Sequence, residues 1–196
     1  RYSMNYYIGP KGYSILKSSL TPQQQQQIKN DLTAKPHVQY TIGNEVKSFP
    51  VYRESAMKLY VPRFYGVQHF GTPQNYTIGE GDSIQLDFKG SLRDFQHTIV
   101  NSYLQHAKQH DCALLDIPCG FGKTVCALHI ISRLSKKTLV IVHKDFLMQQ
   151  WKERIQEFLP GARIGKIQGP VVDIDDKDIV IGMLQTLSMK ALDPCI

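Results

Sequence analysis

The chemistry-bearing residues of this chain gather in one run, Asp116-Ile117-Pro118-Cys119-Gly120-Phe121-Gly122-Lys123-Thr124. Gly120 and Gly122 let the backbone fold tightly enough for successive N–H groups to point at one anion. A helix opening at Lys123 adds the positive end of its dipole. A lysine followed by a hydroxyl residue completes a phosphate cradle. Lys123 reaches the β- and γ-phosphates of a nucleoside triphosphate, and the Thr124 hydroxyl is placed to ligate Mg²⁺. The general pattern G-x-x-x-x-G-K-[ST] has a glycine five residues before Gly122, and here that residue is Ile117. A Gly-rich turn that merely precedes Lys-Thr is the competing explanation. The loop is therefore decided by the elements around it.

Those elements alternate regularly after residue 90. Leu92, Phe95, Ile99, Val100, Tyr103 and Leu104 fall on one helical stripe, and Ala113-Leu114-Leu115 reads as a buried strand entering the loop. Val125, Leu128, Ile131 and Leu134 stripe the next helix, and Thr138–Val142 is a continuous apolar strand. Leu147, Trp151, Ile155 and Phe158 stripe a third helix, capped by Asp145 and closed at Pro160-Gly161, with Trp151 in the core. Arg163–Ile167 and Ile179–Ile181 add two short strands. Strands apolar on both faces, between amphipathic helices, predict a parallel sheet covered on both sides.

The first 88 residues have a different texture, rich in tyrosine, glycine and proline. Tyr13–Leu16 and Met57–Val61 read as short strands. Thr21-Pro22 opens a helix over Gln23–Leu32, with Thr21 as its cap and Pro22 at its first position. Pro62–Gly66 starts a second helix that ends near Gly71. Gly71–Gly81 is a turn-rich connector, and Ser83–Phe88 alternates as a half-buried strand.

A phosphate loop alone does not say what the nucleotide is used for. The surrounding residues narrow it. Leu92-Arg93-Asp94-Phe95-Gln96 resembles the L-R-x-[FY]-Q element of superfamily 2 helicases, with Gln96 standing 27 residues before Lys123. In that family the glutamine reads adenine, and a carboxamide does offer both the donor and the acceptor that N6 and N7 need. Thr138–Trp151 resembles the family's next element, in which a buried strand ends in a polar turn against the nucleic-acid backbone. Gly165–Gly169 and Ile181–Thr186 are similar to the later pair that tracks one strand.

Together, residues 92–190 resemble the first motor domain of XPB-type and UvsW-type helicases, especially those of large nucleo-cytoplasmic DNA viruses. The stretch Tyr13–Gly71, with V-P-R-F-Y-G, is similar in texture to the leader that precedes the motor there. The resemblance implies an α/β fold: a RecA-like P-loop NTPase domain over residues 89–196, its parallel sheet incomplete, preceded by a small α+β region over residues 1–88. It implies ATP and Mg²⁺ as cofactors, with ATP against Arg93, Phe95, Gln96, Pro118, Cys119, Gly120, Phe121, Gly122, Lys123 and Thr124. Catalysis falls to Lys123 and Thr124, with Thr124 on the metal. It places nucleic acid, DNA favoured over RNA, against His143, Lys144, Gly165, Gly169, Gln185 and Thr186.

The family's D-E-x-H element is not found. The acidic residues of Asp173–Asp178 precede the apolar run Ile179–Ile181 instead of following it, so they read as a solvated turn. The chain is thus expected to be part of a longer protein, truncated before that element and lacking the second motor domain, which is its implied partner. Alone it is expected to bind ATP–Mg²⁺ weakly at best and not to hydrolyse it at a useful rate. Another P-loop enzyme, such as a nucleotide or small-molecule kinase, and a non-catalytic nucleic-acid-binding module stay open.

Composition fits without deciding. The 196 residues carry a net charge of +6, with ten Lys+Arg against six Asp+Glu in residues 1–90 and thirteen against eleven in residues 91–196. That excess suits a polyanionic partner. No apolar run approaches a bilayer span, and no signal-peptide core opens the chain, so no membrane partner is expected. The four cysteines, Cys112, Cys119, Cys126 and Cys195, lack metal-ligand spacing and read as reduced thiols of an intracellular protein.

Overall fold

The computed structural model describes residues 5–35, 48–73 and 75–189. The chain divides into two compact units, Arg1–Glu80 and Gly81–Ile196.

In the first unit, β1 (Tyr6–Gly9) and β2 (Gly12–Leu16) form an antiparallel hairpin. Helix α1 (Pro22–Asp31) begins as its sequence predicts. The Thr21 hydroxyl accepts from the Gln24 backbone N–H at 3.2 Å, and the Gln24 side chain accepts from the Thr21 N–H at 2.8 Å. This reciprocal box satisfies two N–H groups that the helix cannot pair itself. Short strands β3 (Thr33–Ala34), β4 (Phe49–Pro50) and β5 (Arg53–Glu54) precede β6 (Lys58–Val61) and helix α2 (Arg63–Phe70). The main sheet runs β1-β2-β6-β5, all antiparallel. Ile8, Tyr13, Ile15, Leu59 and Val61 occupy one face of it and pack with Ile28 and Leu32 from α1 and with Tyr65, Val67 and Phe70 from α2. The period-2 alternation of side chains makes this a one-sided core.

The second unit contains α3 (Asp94–His110), α4 (Lys123–Leu134), β7 (Thr138–Val142), α5 (Asp145–Phe158), β8 (Ile164–Gln168), β9 (Val171–Asp173), β10 (Ile179–Met183) and α6 (Leu184–Met189). The sheet order is β7-β10-β8-β9. The first three strands are parallel, and β9 folds back antiparallel on β8. Helices α4 and α5 supply Leu128, Ile131, Met148 and Ile155 to a core with Val140, Val142, Ile179, Ile181 and Met183; Trp151 is half-buried against it. A separate cluster of Leu92, Val100, Cys126 and Ile130 joins α3 to the other side of α4.

The structure departs from the sequence reading in specific places. Ala113–Leu115 forms no strand, and Leu114 is 92% exposed. No described strand lies beside this segment, and an extended chain without a neighbour has no ladder to join. Ser83–Phe88 contributes only an isolated bridge from Ser83 to Lys136; Phe88 instead stacks on Phe158 at 5.4 Å. The second face of the parallel sheet is not fully covered, since Leu139 and Ile141 are 48% and 54% exposed. Lys144, not Asp145, is the residue flanking α5, and Asp145 lies in the first turn. Asp178 is not solvated. It is buried, with its carboxylate paired to the Arg163 guanidinium at 2.7 Å and accepting from the Arg163 backbone N–H at 2.8 Å. Only the neighbouring Asp175-Asp176 pair sits in an open turn.

Candidate nucleotide and nucleic-acid site

The loop before α4 has the backbone that its glycines allow. Gly120 and Gly122 take φ of 84° and 78°, in the left-handed region that other residues avoid. Helix α4 then starts at Lys123, its first turn closed by the Cys126 N–H donating to the Gly122 carbonyl at 3.0 Å. Pro118, Cys119, Gly120, Phe121 and Lys123 are exposed, and Thr124 is half-buried beside them. An open loop feeding the first turn of a helix fits a string of phosphates. Among the described residues Thr124 has no cluster of carboxylates around it that could complete a metal site.

Gln96 is where the site is most tightly built. It is 5% exposed, on the buried side of α3. Its Oε1 accepts from the Arg93 backbone N–H at 2.9 Å, and its Nε2 donates to the Phe121 carbonyl at 3.0 Å. One side chain therefore ties the start of α3 to the middle of the phosphate loop. The fit is close: a Cβ on residue 122 would collide with Gln96 Nε2. Each end of the carboxamide keeps one further hydrogen-bonding position, enough for an adenine edge. Phe95, expected on the buried stripe, is 37% exposed and meets Phe121 edge-on at 5.1 Å. Those two rings and the exposed Arg93 flank the same glutamine.

Three turns at the carboxyl edge of the parallel sheet are linked directly. Gln185 Nε2 donates to the His143 carbonyl at 3.0 Å, and the Gly169 N–H donates to Thr186 Oγ1 at 3.0 Å. Gln168 Nε2 donates to Asp145 Oδ1 at 2.7 Å. The ends of β7, β8 and β10 thus form one polar rim with His143, Lys144, Gly169 and Gln185 exposed on it. Gly165 is not brought to this rim. It lies inside β8, opposite Val180, where the Asp173 backbone approaches so closely that a Cβ would clash. Its glycine serves the β8–β9 hairpin. The Gln168–Asp145 link and the Arg163–Asp178 pair were not legible, because each joins residues 15 or more positions apart with no motif spacing. A cleft of about 350 Å³ beside α5, lined by Asp145, Gln149, Lys152, Lys166 and Gln168, adjoins the rim and does not include the phosphate loop.

Residues 89–193 match the family model described as type III restriction enzyme, res subunit. The chain belongs to this family. Sequence relatives agree with the membership. A candidate ATP-dependent RNA helicase of Acanthamoeba polyphaga mimivirus is 29% identical over 90% of this chain and 35% of its own length. A candidate helicase of Invertebrate iridescent virus 3 is 33% identical over 62% of this chain and 40% of its own. The DNA 3'-5' translocase XPB2 of Sulfurisphaera tokodaii is 38% identical over 36% of this chain and 15% of its own. The chain spans well under half the length of each. The resemblance read from the motifs, to viral helicases and XPB-type translocases, therefore holds. Among the described residues Cys112, Cys119 and Cys126 are free thiols, and no helix is long and apolar enough to cross a membrane. Cys195 lies outside the described residues.

Proposed function

We propose that this chain is the ATP-binding half of an ATP-dependent helicase or translocase that moves along nucleic acid. The observation that carries the reading is the bond from buried Gln96 to the Phe121 carbonyl, which ties a base-reading side chain to a phosphate loop. A kinase or other P-loop enzyme has no evident need for the polar rim that follows.

In this reading the adenine lies against Gln96, with Phe95 and Arg93 beside it. The loop N–H groups from Cys119 to Lys123 and the Lys123 ammonium hold the phosphates. Thr124 contributes a hydroxyl to Mg²⁺, which supplies charge neutralisation at the transferring phosphate when bound. His143, Lys144, Gly169, Gln185 and Thr186 hold the sugar-phosphate backbone of one strand, a mode of contact that carries no direct sequence information. DNA is the favoured strand, supported by the DNA translocase activity for which the XPB relative is named. The mimivirus relative's name makes RNA the competing outcome. A second motor domain, in the length by which the relatives exceed this chain, closes the other side of the nucleotide, and turnover moves the two domains relative to the strand.

The test has two arms. Lys123→Ala should abolish binding of a fluorescent ATP analogue by this chain, with its circular dichroism unchanged. In a protein extended to the relatives' length the same change should abolish turnover. Single-stranded DNA should stimulate the extended wild type, whereas this chain alone should bind ATP without turning it over. Turnover that ignores both DNA and RNA would defeat the reading.

A further inference from the structure

The first unit has a sheet face that its core does not use. With one face given to α1 and α2, the register places Tyr7, Ser14, Tyr60 and Arg53 opposite one another on β1, β2, β6 and β5. They form a single row across the other face, about 14 Å from end to end at ordinary strand spacing. Lys11, in the β1–β2 turn, holds its Nζ 5.1 Å from the centre of the Tyr60 ring. Lys58 holds its Nζ 4.9 Å from the centre of the Tyr7 ring and 3.1 Å from its hydroxyl. The Tyr7 hydroxyl is also bound by Ser14, which fixes the ring on the sheet.

Among the described residues the charge on this face has one sign. Lys11, Lys58 and Arg53 pair with no described carboxylate. Glu54, next to Arg53, is opposite Leu59 and so belongs to the helix-covered side, where Lys17 and Lys29 hold it at 2.9 Å. A merely solvated face would mix acids with bases. Here two aromatic rings are set among three cations on one sheet face. Lysines resting over tyrosine rings mark positions where an aromatic face and a positive charge are offered together. An unpaired base can stack on the ring while the ammonium moves to the adjoining phosphate. Paired bases offer no free face to such a surface.

We infer that this face is a second nucleic-acid surface, taking single-stranded nucleic acid with bases on Tyr60 and Tyr7 and phosphates on Lys11, Lys58 and Arg53. The inference rests on the motor reading for its partner class, but it uses none of the residues of the phosphate loop or the polar rim. On this assignment the first unit holds a strand whose bases are already unpaired.

The experiment measures binding of a fluorescein-labelled oligothymidylate, and of a duplex of equal length, to the full chain. Wild type should bind the single strand more tightly than the duplex. Tyr60→Ala should weaken single-strand binding roughly tenfold, the scale of one lost stacking contact, while Tyr60→Phe keeps it. Lys11→Glu with Arg53→Glu, both at exposed positions, should weaken it at least as much and flatten its salt dependence. Ultraviolet crosslinking should attach the oligonucleotide to Tyr60 or Tyr7, a readout that a purely structural tyrosine would not give. If Tyr60→Ala fails to fold, the charge-reversal pair decides the matter. Single-strand affinities within about twofold of wild type across the folded variants would overturn the inference, as would a wild type that does not bind the oligothymidylate or prefers the duplex. Binding of a fluorescent ATP analogue, read in parallel, should be unchanged throughout. Its absence from wild type would count against the motor reading separately.

Discussion

Gln96 commits one hydrogen bond at each end of its side chain before any ligand arrives. Gln96→Ala should therefore act twice: it removes the base-reading group and releases the Phe121 carbonyl that positions the loop. The expected result is lower affinity for both ATP and GTP analogues, together with a smaller ratio between them. Gln96→Glu should be no better, because a carboxylate oxygen would then face the Phe121 carbonyl. An ATP/GTP ratio equal to wild type in Gln96→Ala would remove the glutamine from adenine recognition. Asp178 gives a second residue-scale expectation. Its bonds to Arg163 outweigh its burial, which acts the other way, and hold the carboxyl below the usual aspartate range. A depressed carboxyl stabilises the fold above the unfolded value, near 3.9, and that contribution is lost as pH falls through the lower folded value. Asp178→Asn should cost about 1–3 kcal/mol at neutral pH, the upper end reduced because the Arg163 side chain is largely in water. It should also blunt the loss of stability below about pH 4. Denaturant midpoints measured against pH test both, and a pH profile parallel to wild type would show that the pair contributes no linkage.

At the scale of elements, the polar rim is made by strand ends, and its test is electrostatic. Lys144→Ala should lower nucleic-acid affinity alike for unrelated sequences and reduce the salt dependence by about one ion. Thr186→Ala should lower affinity with little change in salt slope, because it breaks the bond that holds the Gly169 turn and removes no charge. Equal salt slopes in Lys144→Ala and wild type would take that lysine off the rim. These elements were legible to different degrees, and the reasons are physical. Thr21-Pro22 announced α1 because a cap and a first-position proline are local signals, and the Gln24 half of the capping box emerged only in the structure. The loop at Gly120–Thr124 was legible because its backbone needs those glycines wherever it occurs. Ile179–Ile181 showed as an apolar run because β10 is buried between β7 and β8, and Thr138–Val142 showed as one although only β10 is paired with it among the described strands. β1 was missed, since Tyr6 and Tyr7 face opposite sides of a one-sided sheet and give no apolar run. Asp178 was misread because its partner comes from across the β8–β10 pair, and nothing within Asp173–Asp178 specifies that. Gly165 was assigned to the strand track because a glycine forced by a close backbone looks, in sequence, like one that frees a turn.

At the scale of the whole molecule, the second unit has surface that its described elements leave unpaired. β7 has β10 on one side and no described strand on the other. Leu139 and Ile141 project from it half exposed, and Leu114 of the segment expected as a strand is almost wholly exposed. An apolar strand with a free row of N–H and C=O groups is a template for pairing with another chain. The chain is therefore expected to self-associate as its concentration rises, and sedimentation velocity over a concentration series would reveal it. Replacing Ile141 with lysine should suppress that association, since a charge on an edge strand must be desolvated before it can pair. The substitution lies on the face away from Val140 and Val142, which hold β7 to the helices, so the thermal midpoint should change little. A protein carrying the relatives' further length should lose the tendency if a strand from that length pairs with β7. A monomer at every concentration, in wild type and variant alike, would show that the edge is already protected.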